Sequence, residues 1–399
     1  MSETRVPTEK KVSLRILERA QDIAADIWDS CANPAHVIYN PFLSHAFFVA
    51  VEESGSACTQ TGWTPHHLCL EDEDENMVAI LPLYLKSHSQ GEYIFDHNWA
   101  DAFYRAGGNY FPKLLSAVPF SPVTGRRFLT SSAQPDIARQ QMQLLAQGAN
   151  QLLEKYELSS LHINFLPENE WRDLGADGFL QRMDQQFHWH NEGFKNFGEF
   201  LDTLSSRKRK NLRKEREKAL DNGIEIEWAM GDNLKDHHWD GFYEFYLDTG
   251  NRKWGTPYLT RDFFERLNKT LADHTLLILA KREGRYIAGA LNLIGGDTLY
   301  GRNWGCLEDH PCLHFEVCYY QAIDFAIAHG LKHVEAGAQG AHKIARGYVP
   351  QPTYSAHQIL HPGLRDAVKT YLESERQYVE NDIEILNNMT PFKNSTSEL

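Results

Sequence analysis

Apolar residues along this 399-residue chain recur with two periods. Short runs rich in branched and aromatic side chains predict strands. They are "HHLCL", "MVAILPLYLK" and "SLHINFL" in the first half, then "TLLILAKR", "YIAGALNLIGG", "TLYGRNWG" and "KHVEAG" in the second. Between them a helical spacing runs from Gln140 to Tyr156 and again from Leu313 to His329. Gly330 then supplies a residue that accepts a left-handed stop.

The order of elements repeats. A helix ("NPFLSHAFFVAVEES"), a strand, an acidic turn, a strand, a helix and "SLHINFL" make one round. "HHWDGFYEFYLDTG", a strand, a glycine turn, a strand, a helix and "KHVEAG" make another. The similarity is of pattern and not of residues. It predicts an α+β fold of mixed, mostly antiparallel sheets flanked by helices. The chain is longer than one ordinary core, so two domains are expected, over residues 1–195 and 224–399. A connecting helix over 196–223 joins them. From Arg207 to Lys218 this join carries eight basic and two acidic residues, and its leucine stripe is too thin for deep burial. Two readings stay open: a solvated face, or a phosphate-facing helix in which Arg207 and Arg209 contact an RNA end or a nucleotide-bearing cofactor.

Composition narrows the class. Hydrophobic residues at 42% and charged residues at 24% describe a globular chain, and a net charge of -14 excludes wholesale coating of nucleic acid. No apolar run is long enough to span a membrane, and residues 1–31 are charged throughout, unlike a leader. The six cysteines lack Cys-x-x-Cys spacing, as expected for a reduced, cytoplasmic protein.

Six motifs carry a resemblance: "WADAFYRAGGNYFPKLLSAVPFSPVTGRRFL", "SSRKRKNLRKER", "LYGRNWG", "LHFEVCYYQAIDFAI", "EAGAQGAHKIARGYVP" and "YSAH". Together they resemble a bacterial family related to the Fem-type peptidoglycan aminoacyltransferases, labelled peptidoglycan biosynthesis/recognition. The resemblance implies tandem GNAT-type (acyl-CoA N-acyltransferase) domains and transfer of an acyl or aminoacyl group to an amine of a small molecule or peptide. It implies no resident cofactor; acyl-CoA or aminoacyl-tRNA is the donor substrate, with tRNA reaching the basic helix. The chain departs from the pattern in three ways. "EDHPCLHFE" replaces the glycine-containing phosphate loop of acetyl-CoA enzymes. The basic segment is too short for a helical-hairpin arm. Ala341 stands where an acidic residue is expected.

Acyl transfer to an amine needs a base, donors for the developing oxyanion, and fixed reactants. Glu316, in the first turn of a predicted helix, is one candidate base, and His314, on another face of that helix, is a second. His342 is a third. Arg302 and Trp304, two apart on a strand, are expected on one side, binding an anion and walling the site. Gly337, Gln339 and Gly340 predict a tight anion-binding bend supplemented by His342, Lys343 and Arg346. Lys113 and Arg127 are further anion contacts. Cys312 or Cys318 as a covalent carrier is a rival chemistry. The His310, Cys312, His314 alternation is not a common zinc spacing, so no metal is expected. A non-catalytic module that binds a cell-wall precursor is the alternative function.

Overall fold

The computed structural model describes residues 12–253, 257–337 and 340–393. The first half contributes β1 (Ser13–Leu17), β2 (Trp63–Pro65), β3 (His67–Glu71), β4 (Met77–Leu81), β5 (Tyr84–Lys86), β6 (Lys113–Ser116), β7 (Leu129–Thr130), β8 (Ser160–Leu166) and β9 (Leu180–His190). The second contributes β10 (Ile224–Met230), β11 (Thr275–Arg282), β12 (Arg285–Ile294), β13 (Thr298–Cys306), β14 (His333–Glu335) and β15 (Val349–Ile359).

Strands β1, β3, β4 and β7 form a small sheet. The other eleven form one sheet in the order β10-β11-β12-β13-β14-β9-β15-β8-β6-β5-β2. Most neighbours are antiparallel. The parallel pairs are β6 with β8 and β13 with β14, one in each half, each joined through a helix. The halves interlock, because β9 of the first pairs with β14 of the second and β15 returns to pair with β8. The doubled pattern of the sequence is thus a doubled architecture within one continuous sheet.

Strand alternation assigns the two faces. Leu277, Leu279, Leu291, Leu293 and Tyr300 point towards helices Ala25–Ala32, His45–Glu53, Asp236–Lys253 and Arg261–Thr270. The intervening Ile278, Ala288, Ala290 and Val334 face the opposite layer. That layer holds the basic helix Ser206–Ala219 and a helix with a π interruption. The latter is α over Leu313–Phe315, π over Glu316–Tyr320 and α again over Gln321–Ala328. Helix Pro135–Lys155 covers Leu114, Leu161 and Ile163 in the first half. It starts earlier than its apolar periodicity predicts because Pro135 suits a first helical position. Among the described residues no helix is long and apolar enough to cross a membrane.

Close packing of β13 on helix Asp236–Lys253 depends on Gly305, where a Cβ would lie 2.3 Å from the Phe245 carbonyl oxygen. Gly305→Ala should therefore destabilise the protein by about 1–3 kcal/mol. A urea titration checks this, and an unchanged midpoint would contradict the stated packing.

Candidate active site

The parallel pairing of β13 with β14 ends at Tyr300 opposite Glu335. Beyond it β13 continues to Cys306 with β12 alone as ladder partner, while Ala336 and Gly337 follow β9 through hydrogen bonds with Phe187. The sheet therefore opens in a V at this point. A register shift puts Gly301 opposite Asn292 and Asn303 opposite Leu291, leaving Arg302 as the extra residue of a bulge. Gly301 suits the position, because a Cβ there would meet the Glu335 carbonyl oxygen at 3.2 Å.

The bulge turns Arg302 towards the layer that holds Phe42. Its guanidinium lies 4.7 Å from the centre of the Phe42 ring and 3.7 Å from Glu335 Oε2. Both side chains are more than nine-tenths buried. Arg302 Nη1 donates to the Gly301 carbonyl at 3.0 Å. Among the described residues its Nε and Nη2 have no hydrogen-bond partner, nor has Glu335 Oε2, since 3.7 Å is too long. Beside them His188, paired with Glu335 across β14 and β9, leaves Nε2 unpartnered. Buried polar atoms without partners each cost free energy, so a cluster of them at a break in a sheet marks a place built for something else to complete. Burial pushes the Glu335 carboxyl up to about 7, outweighing the opposite pull of Arg302 and Arg127. A carboxyl of that kind can take a proton at neutral pH.

Arg302 and Trp304 do not share a side, contrary to the expectation from strand spacing. Arg302 is itself the extra residue and breaks the alternation, so Trp304 packs in the opposite layer against His314, ring centres 5.2 Å apart. His342 joins this second cluster. Its ring centre is 6.3 Å from that of His314, and its Nε2 is 3.0 Å from the Tyr319 hydroxyl. Burial, then Arg346 and Lys343, lower the His342 pKa, so the imidazole is neutral at pH 7. The structure thus brings Trp304, His314 and His342 together on the helical side of the V, with Arg302 and Glu335 on the other.

Other expectations are corrected. Glu316 is fully buried and faces the basic helix. Arg216 grips it through two bonds of 2.8 and 3.1 Å, and Gln321 adds a third of 2.7 Å. A carboxylate so occupied, and wholly buried, is not open to an incoming amine. Gly337 and Gly340 do adopt left-handed φ values, and the cation expected to supplement the bend is held by its carbonyls. Lys343 Nζ donates to the carbonyls of Ala336 and Gly337 at 2.6 and 3.0 Å, clamping the turn that follows Glu335. Arg346 stacks on Phe315 and bonds Glu215 and the His342 carbonyl. Gln339 lies outside the described residues. Lys113 is buried among Ser89, Glu92 and Asp96. Arg127 spends its guanidinium on the carbonyls of Val123, Gly125, Arg126 and Asn164. Neither is available to an anion. Burial raises the Cys312 thiol pKa, the wrong direction for a nucleophile. No cluster of three metal-ligating side chains occurs among the described residues.

On the basic helix Arg209 pairs with Asp202 at 2.7 Å, whereas Arg207, Lys210, Lys214 and Lys218 are exposed. Their three- and four-residue spacing sets them on one stripe. Glu335 is the residue sequence reasoning missed. Its signal was a lone acid closing the apolar run "KHVEAG", at the start of the glycine-rich stretch.

A family model described as FemAB-like, peptidoglycan biosynthesis/recognition, matches residues 19–394. The chain belongs to this FemAB-like family. No curated protein matches the chain. Among solved structures, the FemAB-like chain is similar to FemX at 12% identity and a TM-score of 0.53, over 89% of this chain and 100% of that one. It is similar to L-PGS from Bacillus licheniformis at 11% and 0.50, over 84% and 98%. A conserved protein of unknown function from Bacteroides thetaiotaomicron gives 11% and 0.51, over 87% and 100%. At these identities the likeness is one of fold.

Proposed function

We propose that this FemAB-like chain transfers an acyl or aminoacyl group to an amine in peptidoglycan-related chemistry, at the opening between β13 and β14. The observation that carries the reading is the buried Glu335, poised near neutrality beside an Arg302 whose Nε and Nη2 are unspent among the described residues. The amine approaches from the Arg302 side. Its nitrogen attacks the carbonyl carbon of an activated ester or thioester held on the Trp304, His314 and His342 side. An N–C bond forms, the bond from the carbonyl carbon to the leaving oxygen or sulfur breaks, and the proton shed by the nitrogen passes to Glu335. The Lys343 clamp on Ala336 and Gly337 holds Glu335 at the mouth of the V.

The exposed stripe Arg207, Lys210, Lys214 and Lys218 belongs to the helix that grips Glu316 and Arg346, so it flanks the donor side. It favours a donor carried on a polyanion, an aminoacyl-tRNA, over a compact acyl-CoA. Transfer assays with each donor and an amine-bearing peptide from a peptidoglycan precursor test the reading. Consumption of neither donor, with the peptide still bound, would leave a recognition module in its place. Charge reversal at Lys210, Lys214 and Lys218 together should weaken tRNA binding at least about tenfold and flatten its salt dependence. The melting temperature should stay unchanged. Undiminished tRNA binding would return the stripe to a solvated face.

A further inference from the structure

We infer that the group recognised between Arg302 and Glu335 is a zwitterionic amino-acid centre, an ammonium and a carboxylate on one carbon, so that the accepting amine has a carboxylate beside it. This inference rests on the transfer reading above and names its acceptor. The reason lies in which atoms are free. Arg302 uses Nη1 on the Gly301 carbonyl, and the edge formed by Nε and Nη2 is unspent. That edge is one of the two on which a guanidinium binds a carboxylate through parallel bonds. Glu335 Oε2, the unspent acceptor, lies 3.7 Å from Nη2. The two ions are close enough to feel each other and too far apart to hydrogen-bond.

A ligand bearing only a carboxylate would satisfy the guanidinium and crowd a second negative charge against Glu335. A ligand bearing only an ammonium would do the reverse at Arg302. Either leaves an uncompensated charge in a buried place, which is the costly outcome. A zwitterion supplies both partners, giving four charges in alternating order and no net charge to bury. Arg127 and Asp297 also act on Glu335, with opposite signs, so the wider surroundings leave this pairing of charges in place. Phe42 lies under the guanidinium, Tyr300 lines the same side, and the neutral His188 stands across from Glu335. Tyr93, about one-third exposed and held at a left-handed φ of 61°, comes from the first half and lies within electrostatic reach of Arg302.

The experiment is a thermal-shift titration of the full chain with three probes: L-lysine, Nα-acetyl-L-lysine and L-lysine methyl ester. The acetyl group removes the α-ammonium and the ester removes the carboxylate. Lysine should stabilise the protein, with each blocked probe at least about tenfold weaker. Arg302→Gln should abolish the preference for lysine over its ester, because the fork and its charge are lost together. Glu335→Gln should abolish the preference for lysine over its acetyl derivative. Equal binding of all three probes, no shift with lysine, or variants that keep the wild-type ranking would each overturn the inference. The wild-type ranking is informative even where a variant folds poorly. Acyl transfer to the methyl ester as fast as to lysine would sink the zwitterion and leave transfer standing. The predicted ranking without transfer from any donor would do the opposite.

Discussion

Glu335→Gln should slow acylation of the amine by about a hundredfold or more, the size of effect expected when a general base is removed. The wild-type rate should rise with pH around a midpoint near 7, because only the ionised carboxyl accepts a proton and burial has moved its pKa there. The Gln variant should lose that limb. Stability responds with the opposite slope. The folded pKa of about 7 lies above the ordinary 4.5, so between these values the unfolded chain sheds a proton that the folded protein keeps. This group's contribution is fully present below about 4.5 and is lost as pH rises through 7. Glu335→Gln should therefore flatten the fall of melting temperature across that window. Glu92 and Glu170, raised to about 7 by the same burial, retain their share of the slope. A variant with an unchanged pH–rate profile would remove Glu335 from the chemistry.

The second large effect concerns Glu316, the carboxylate that Arg216 holds. Arg216→Ala should cost about 3–5 kcal/mol, because it strands a fully buried Glu316 and takes a partner from Asp324 as well. Chemical denaturation checks this. Replacing Arg216 and Glu316 together with methionine should recover most of the loss, since an apolar pair leaves no charge to strand. If Arg216→Ala proves neutral, the pair is not the lock between the basic helix and the π-interrupted helix described here.

The difference between these two glutamates shows what sequence reasoning reaches. The doubled fold was legible because each half must supply its own strand runs and its own crossover helix, and those periods survive without any shared residues. Arg302 was legible as a cation on a strand. Its side was not, because one bulged residue reverses every later side chain and only Gly301 hints at it. Glu316 looked available because its neighbours in sequence are aromatic. The arginine that closes on it lies one hundred residues earlier, and no local pattern announces so distant a partner. Lys343 and Arg346 looked like ligand donors for the same reason, until backbone carbonyls and Glu215 claimed them. Distant pairing decided which charges stayed unspent, and the pair left unspent at the break in the sheet carries the proposed site.

The most direct measurement sets Glu335→Gln beside Glu316→Gln in one single-turnover transfer assay, with each rate normalised to folded protein. The account predicts that the first loses the chemical step while binding persists, and that the second keeps its rate per folded molecule though it unfolds more readily. A Glu335→Gln protein that turns over normally beside an inactive, well-folded Glu316→Gln would place the chemistry on the helical side and contradict the account.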